Sequence, residues 1–174
     1  MLHDVFWGKK EECPNTDYLT ERIETLSNEL SRCVGPIDII EVYKTVVEPY
    51  DVIYNYDMVA ADAEYLTYTI DDWKSIMSRL HRHLGEKYEW TKNVYDCDDI
   101  ALLYASTLAY SAYRAGFSKQ PAFAIAWSRT HAFNLFIDSV KTVWLVEPQT
   151  GDIIGKMIHN VNSSYDVRKI WFLS

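Results

Sequence analysis

Cysteine is scarce in this chain: Cys13, Cys33 and Cys97 are the only three in 174 residues. A small odd number excludes the dense disulfide framework of a stapled secreted domain. A Cys13–Cys33 bridge would still leave Cys97 free, and the simpler expectation is three reduced thiols. Basic charge is also short. Seventeen Lys and Arg stand against 25 Asp and Glu, for a formal net charge of −8 and a pI near 5.0. That balance argues against nucleic acid and against an anionic membrane surface, both of which need a basic patch. No apolar run approaches the roughly 18 residues of a membrane span. The stretch Met1–Trp7 has no basic region leading into a long apolar one, so no signal peptide is read there. A cytoplasmic or virion-associated location is therefore expected. With five Pro and six Gly, and no repeat or low-complexity tract, the connections should be short.

What is plentiful is apolar and aromatic. Hydrophobic residues make up 48%, with 13 Tyr and six Trp, enough for one packed domain. Leu19, Ile23, Leu26 and Leu30 repeat at helical spacing, which predicts a helix from about Tyr18 to Cys33. Gly35-Pro36 should end it and start a second helix through Ile39, Ile40, Tyr43 and Val46, stopped near Pro49. Residues 1–60 thus read as a helical N-terminal extension to a core at 61–174. Glu64–Ile70 reads as a strand. Asp71 or Asp72 should cap a helix to about Leu84 that turns Trp73, Ile76, Met77 and Leu80 inward. A long helical pattern starts after Asp96 and stops at Gly116. Strands are expected at Ala122–Trp127, His131–Ile137, Thr142–Glu147, Asp152–Ile158 and Val167–Leu173. Helices first and a mostly antiparallel sheet after them is the α+β order.

Cys97 stands where the long helix should begin. A helix N-terminus and a nearby imidazolium are the two usual means of lowering a thiol pKa from about 8.5. His131, at the start of a strand, is the candidate imidazole. The third member comes from strand alternation. His131, Phe133, Leu135 and Ile137 share one face, and so do Val143, Leu145 and Glu147. One hairpin register pairs His131 with Glu147, Phe133 with Leu145 and Leu135 with Val143, with the turn in Asp138–Lys141. A carboxylate there would orient the ring and stabilise its charged form.

Asp96-Cys97-Asp98-Asp99-Ile100-Ala101, His131-Ala132-Phe133-Asn134 and Glu147-Pro148-Gln149-Thr150-Gly151 resemble the C-terminal cysteine-protease domain of the Marasmius oreades agglutinin family of fungal lectins. More loosely, their order is similar to the papain-like and transglutaminase-like superfamily. The resemblance covers about residues 60–160. It implies a papain-like/transglutaminase-like core with Cys97 as nucleophile, His131 as general base and acid, and Glu147 as orienting carboxylate. The expected activity is that of a cysteine peptidase acting on a peptide or protein through an acyl-enzyme. Acyl transfer, or a non-catalytic virion-associated or binding module of the same fold, are the alternatives. The fungal lectins carry a sugar-binding β-trefoil ahead of this domain, where this chain has about 60 residues expected to be helical, so carbohydrate binding is not among the expectations the resemblance carries over. Papain-like enzymes keep a Gln six residues before the nucleophile; Thr91 stands there instead. Trp90, Asn93 and Gln149 are the candidates for a second oxyanion or substrate donor beside the Cys97 N–H.

Three carboxylates around a thiol favour a helix N-terminus but oppose thiolate formation. A divalent cation would reverse that effect, and oxygen ligands suit Ca²⁺. The resemblance implies calcium dependence as well. Asp98 and Asp99 are the expected ligands. A structural metal-binding domain is the third function class. His81 and His83, two apart on a helix, face different sides and make a poor metal pair.

Overall fold

The computed structural model describes residues 26–49, 57–84, 91, 95–157 and 164–173. The chain is α+β, with one three-stranded and one six-stranded sheet among the described residues. Among the described residues the strands are β1 (Gly35–Asp38), β2 (Asp57–Ala60), β3 (Glu64–Thr67), β4 (Gln120–Pro121), β5 (Phe123–Trp127), β6 (Ala132–Ile137), β7 (Val143–Glu147), β8 (Asp152–Lys156) and β9 (Lys169–Phe172). The long helices are α1 (Ile39–Val46), α2 (Ile70–Leu84) and α3 (Cys97–Arg114). The small sheet runs β1-β3-β4 and the large one β2-β9-β5-β6-β7-β8. Antiparallel pairs dominate; β2–β9 and β3–β4 are the parallel ones.

Strand β6 is buried at all six residues and divides the core in two. Phe136, with Phe123, Ile125 and Val146, faces α2 and α3. Phe133, Leu135 and Ile137 face the other way, with Val42 and Val46 of α1 and Leu145, Ile170 and Phe172. One polar side chain lies in this strand. Asn134 is fully buried and donates its amide to the carbonyls of Ala101 (3.0 Å) and Ala124 (3.1 Å). It ties the first turns of α3 to the sheet, and so fixes where Cys97 stands relative to the strands.

Several expectations are corrected. Gly35-Pro36 does not start a helix; it opens β1, which pairs with β3. Residues 35–60 therefore carry strands of both sheets and are more than a helical extension. On α1 the buried residues are Val42 and Val46, while Ile40 and Tyr43 are exposed. Thr69, not Asp71 or Asp72, caps α2: its Oγ1 accepts the Asp72 N–H (3.2 Å). The part of the first expected helix before residue 26 lies outside the described residues, as do Cys13, Trp90 and Asn93. Cys33 and Cys97 are free thiols.

Trp73 is the pivot between α2 and the sheet. It is fully buried, stacks on Phe136 with centroids 4.5 Å apart, and donates its indole N–H to the Ile137 carbonyl at 3.1 Å. Trp73→Ala should cost about 3–5 kcal/mol, the range for a large aromatic truncation in a core. Urea unfolding of the two proteins measures it; a loss below about 1 kcal/mol would show that Trp73 is not the pivot.

Candidate functional site

The site forms at the end of the large sheet where β5 turns into β6. Ser128 makes that turn: its Oγ accepts the N–H groups of Thr130 (3.2 Å) and His131 (3.0 Å), and its own N–H reaches the His131 carbonyl (2.9 Å). The Ser128 hydroxyl so replaces backbone partners in a short loop. His131 is thereby fixed at the point where the returning strand begins. Its ring lies 5.9 Å from Phe133 and edge-on to Tyr165 at 5.5 Å.

Glu147 reaches this ring. Its Oε2 lies 2.7 Å from His131 Nε2 and accepts the Tyr165 hydroxyl at 2.7 Å. Its Oε1 accepts the Gln149 N–H at 3.1 Å. The side chains of His131 and Glu147 are 17% and 13% exposed, so the pair is largely desolvated yet open on one side. Burial alone would raise the Glu147 carboxyl pKa. The hydrogen bonds from His131, Tyr165 and the Gln149 N–H, with the His131 charge, outweigh burial and hold it below the usual carboxylate value. Tyr165 moves the other way. Burial first, then the bond to Glu147 and its charge, push the phenol up to about 12, so it stays a donor.

The hairpin register differs from the expected one. Asn134 pairs with Val146, Leu135 with Leu145, Phe136 with Trp144 and Ile137 with Val143. The pairing is displaced by two residues along β7, so the shared face is kept. Asp138 is the cause. This buried carboxylate accepts the N–H groups of Val140 (3.0 Å) and Thr142 (2.8 Å) and the Trp144 indole N–H (2.8 Å). The loop that satisfies it runs through Thr142, with Lys141 at φ 64°. Glu147 then lies diagonal to His131 rather than directly across, a separation two long side chains can bridge.

Cys97 begins α3, and the start of this helix lies at the same end of the sheet as His131. The two are anchored on different layers. The His131 ring sits with Phe133 and Tyr165, whereas α3 packs on the opposite face with Phe123, Ile125 and Phe136. Among the described residues no hydrogen bond joins Cys97 to His131 or Glu147. Gln149 is exposed in the turn after Glu147, where its backbone serves the carboxylate.

The acidic residues also sort differently. Ligand atoms of Asp96, Cys97 and Asp98 lie within 4.8 Å of one another. Asp99 turns back to accept the Asp96 N–H at 3.3 Å, as in a capping box. The Asp98 pKa is raised, first by its hydrogen bond with the Asp96 carboxyl, then by burial and by the charges of Asp96 and Asp99. The pair that could hold a cation is thus Asp96 and Asp98, with the thiol, rather than Asp98 and Asp99. Tyr165 escaped the sequence reading because nothing in its spacing marks it. It precedes β9, and only the β9–β5 pairing brings it beside His131.

Neither a family model nor a curated protein matches the chain. Solved structures do. The structure called "PSL1a-E64 complex" superposes with a TM-score of 0.61 at 22% identity, over 79% of this chain and 51% of that one. Polyporus squamosus lectin, solved with the epitope Neu5Aca2-6Galb1-4GlcNAc, superposes with a TM-score of 0.55 at 23% identity, over 79% of this chain and 49% of that one. The likeness is one of fold, and the chain spans about half the length of these proteins. The lectin structure, described by the glycan it binds, corrects the functional expectation. The resemblance to a protease domain, the peptidase activity with its acyl-enzyme and peptide substrate, and the transglutaminase-like acyl transfer are set aside.

Glu147 has a lowered pKa in the folded chain, so the stability it contributes is full above the unfolded carboxylate value. It is lost as pH falls through the lowered folded value. Tyr165→Phe removes one donor. It should raise the Glu147 pKa, move acid unfolding to higher pH, and cost about 1.5–3 kcal/mol near neutrality, the range for a bond to a charged partner. Circular dichroism across an acid titration reads both; an unchanged acid midpoint would contradict the assignment.

Proposed function

We propose that this chain is a binding module and that its ligand, a hydroxyl-rich molecule of the glycan class, meets it at the His131–Glu147–Tyr165 cluster. The observation that carries the reading is the hydrogen-bonding capacity left over in that partly exposed cluster. When the ring is neutral and Nε2 donates to Glu147, the His131 Nδ1 is an acceptor, whereas in the charged ring it is a donor; it makes no hydrogen bond among the described residues. Glu147 Oε1 accepts one N–H and has a lone pair to spare. The neutral-ring site therefore offers acceptors to a ligand that brings donors, beside the partly exposed Tyr165 ring. Sugar hydroxyls are such donors. The epitope solved with Polyporus squamosus lectin supports the same ligand class, as that protein's ligand.

Titration calorimetry with Neu5Aca2-6Galb1-4GlcNAc and a glycan array tests this. Binding is expected, weakened about tenfold or more in Glu147→Gln, equal to roughly 1.4 kcal/mol for one charged acceptor. Absence of binding to every glycan would overturn the reading. So would thiol chemistry: Cys97 should label with iodoacetamide near pH 6 no faster than free cysteine, and incubation with E64 should add no mass to it. Fast labelling lost in His131→Ala, or an E64 adduct at Cys97, would contradict a non-catalytic module.

The same proposal places a divalent cation at the start of α3. The carboxylates of Asp96 and Asp98, with ligand atoms within 4.8 Å of each other, supply oxygen donors of the kind that suit Ca²⁺, and a cation between them would offset the neighbouring charges that add to the hydrogen bond and burial in raising the Asp98 pKa. Bound there, the ion would hold Asp96 and Asp98 together and stiffen the helix start. Exhaustive chelation should lower the thermal midpoint by a few degrees, on the order of 1 kcal/mol, and Ca²⁺ should restore it. An unchanged melt would remove the cation.

A further inference from the structure

The carboxylate of Glu147 is aimed by the turn that follows it. Gly151 and Thr150 return their N–H groups to the Glu147 carbonyl at 2.8 and 3.3 Å, and Gln149 gives its N–H to the Glu147 side chain. That turn does not hang in solvent. Gly151 has φ +75°, and a Cβ built on it would stand 2.5 Å from both Cβ and Cγ of His81 and 3.0 Å from its Nδ1. The turn thus closes directly on the side chain of a helix residue far earlier in the chain, with glycine the only residue that leaves room.

His81 is itself held. Its Nδ1 lies 2.6 Å from the hydroxyl of Tyr104, a side chain of α3 that is fully buried. Burial first, then the charges of Tyr95 and Glu147, raise the Tyr104 phenol well above its ordinary value, so it stays protonated. The imidazole and the phenol therefore lock α2 to α3 behind the Glu147 turn. Neither residue touches Glu147 through a hydrogen bond among the described residues.

We propose that His81 is the positioning residue of this site: braced by Tyr104, its side chain is the platform on which the Glu147–Gly151 turn rests, and it sets where the Glu147 carboxylate points. For its functional meaning this rests on the binding reading of the same cluster. It goes further by giving α2, which contributes nothing to the cluster itself, control over the acceptor geometry offered to the ligand. A helix displacement at His81 would move Glu147 away from His131 and Tyr165 without altering either of them.

Carbon-detected NMR titration of the Glu147 carboxyl in the full chain is the test, and it needs no ligand. In His81→Ala the Glu147 midpoint should rise by about half a unit or more toward the ordinary value, because a loosened turn weakens the bonds that hold it down. His81→Phe keeps a ring on the platform but gives up the Tyr104 brace, and should give a midpoint between those of the wild type and His81→Ala. Ile76→Val, a core change on the same helix, should leave it unmoved, which separates positioning from general destabilisation. Should His81→Ala fail to fold, Gly151→Ala attacks the same contact from the other side and should raise the midpoint equally. An unshifted midpoint in a folded His81→Ala or Gly151→Ala protein overturns the proposal. A shift seen in a protein that binds no glycan would sink the binding reading and leave the positioning role standing.

Discussion

The full burial of β6 is the constraint on which the rest depends. A strand covered on both faces has no solvent side, so each of its side chains must be accepted by one layer or the other. Phe136 goes to the helices α2 and α3, while Phe133, Leu135 and Ile137 go to the layer with α1. Asn134 is the polar exception, and its amide is used twice, on the Ala101 and Ala124 carbonyls. A buried amide donor leaves a large penalty when unpaired, so these bonds fix the start of α3 against the sheet. His131 stands one residue before this strand. Its position is inherited from a register that cannot slip by one residue without sending Asn134 and each apolar side chain of β6 into the opposite layer.

The polar cluster uses that rigidity. Glu147 contributes a carboxylate that burial alone would neutralise, and three donors keep it charged. Two of them, Tyr165 and the Gln149 N–H, come from elements that no local pattern connects to His131. The arrangement is preorganised: the three donors hold the carboxylate in place without a ligand, which would reduce the ordering cost of the proposed binding. Cys97 begins α3, whose buried residues pack in the other layer, and among the described residues no hydrogen bond joins it to the imidazole.

Much of the fold was legible in the residues. The helix from Ile70 to Leu84, with Trp73, Ile76, Met77 and Leu80 buried, follows from apolar spacing alone. So does the long helix that starts at Cys97, and the five later strands fall within a few residues of their expected bounds. What spacing does not carry is pairing. Alternation put His131 and Glu147 on one face but left the register free by steps of two. The buried Asp138, which demands three donors from its loop and from Trp144, chose the step. The same gap hid β1 and β2: Gly35-Pro36 looks like a helix boundary until β3 offers it a partner. Tyr165 and His81 were invisible as site residues for a related reason. One arrives through the β9–β5 pairing, the other through the packing of Gly151 on α2. The short motifs around His131 and Glu147 marked two residues that the fold does bring together, while the chemistry expected of them from a protease resemblance was corrected by the lectin structure.

The proposed binding surface turns on one atomic assignment, that His131 gives its Nε2 proton to Glu147 and keeps Nδ1 as an acceptor with no hydrogen bond among the described residues. Nitrogen-15 NMR of the ring, recorded at alkaline pH where the imidazole is neutral, reads the tautomer directly. The expected result is the Nε2–H form, with Nδ1 showing the shift of an unprotonated nitrogen. A ring protonated at Nδ1 under those conditions would mean that Glu147 does not hold it, and that the acceptor surface offered to a ligand does not exist.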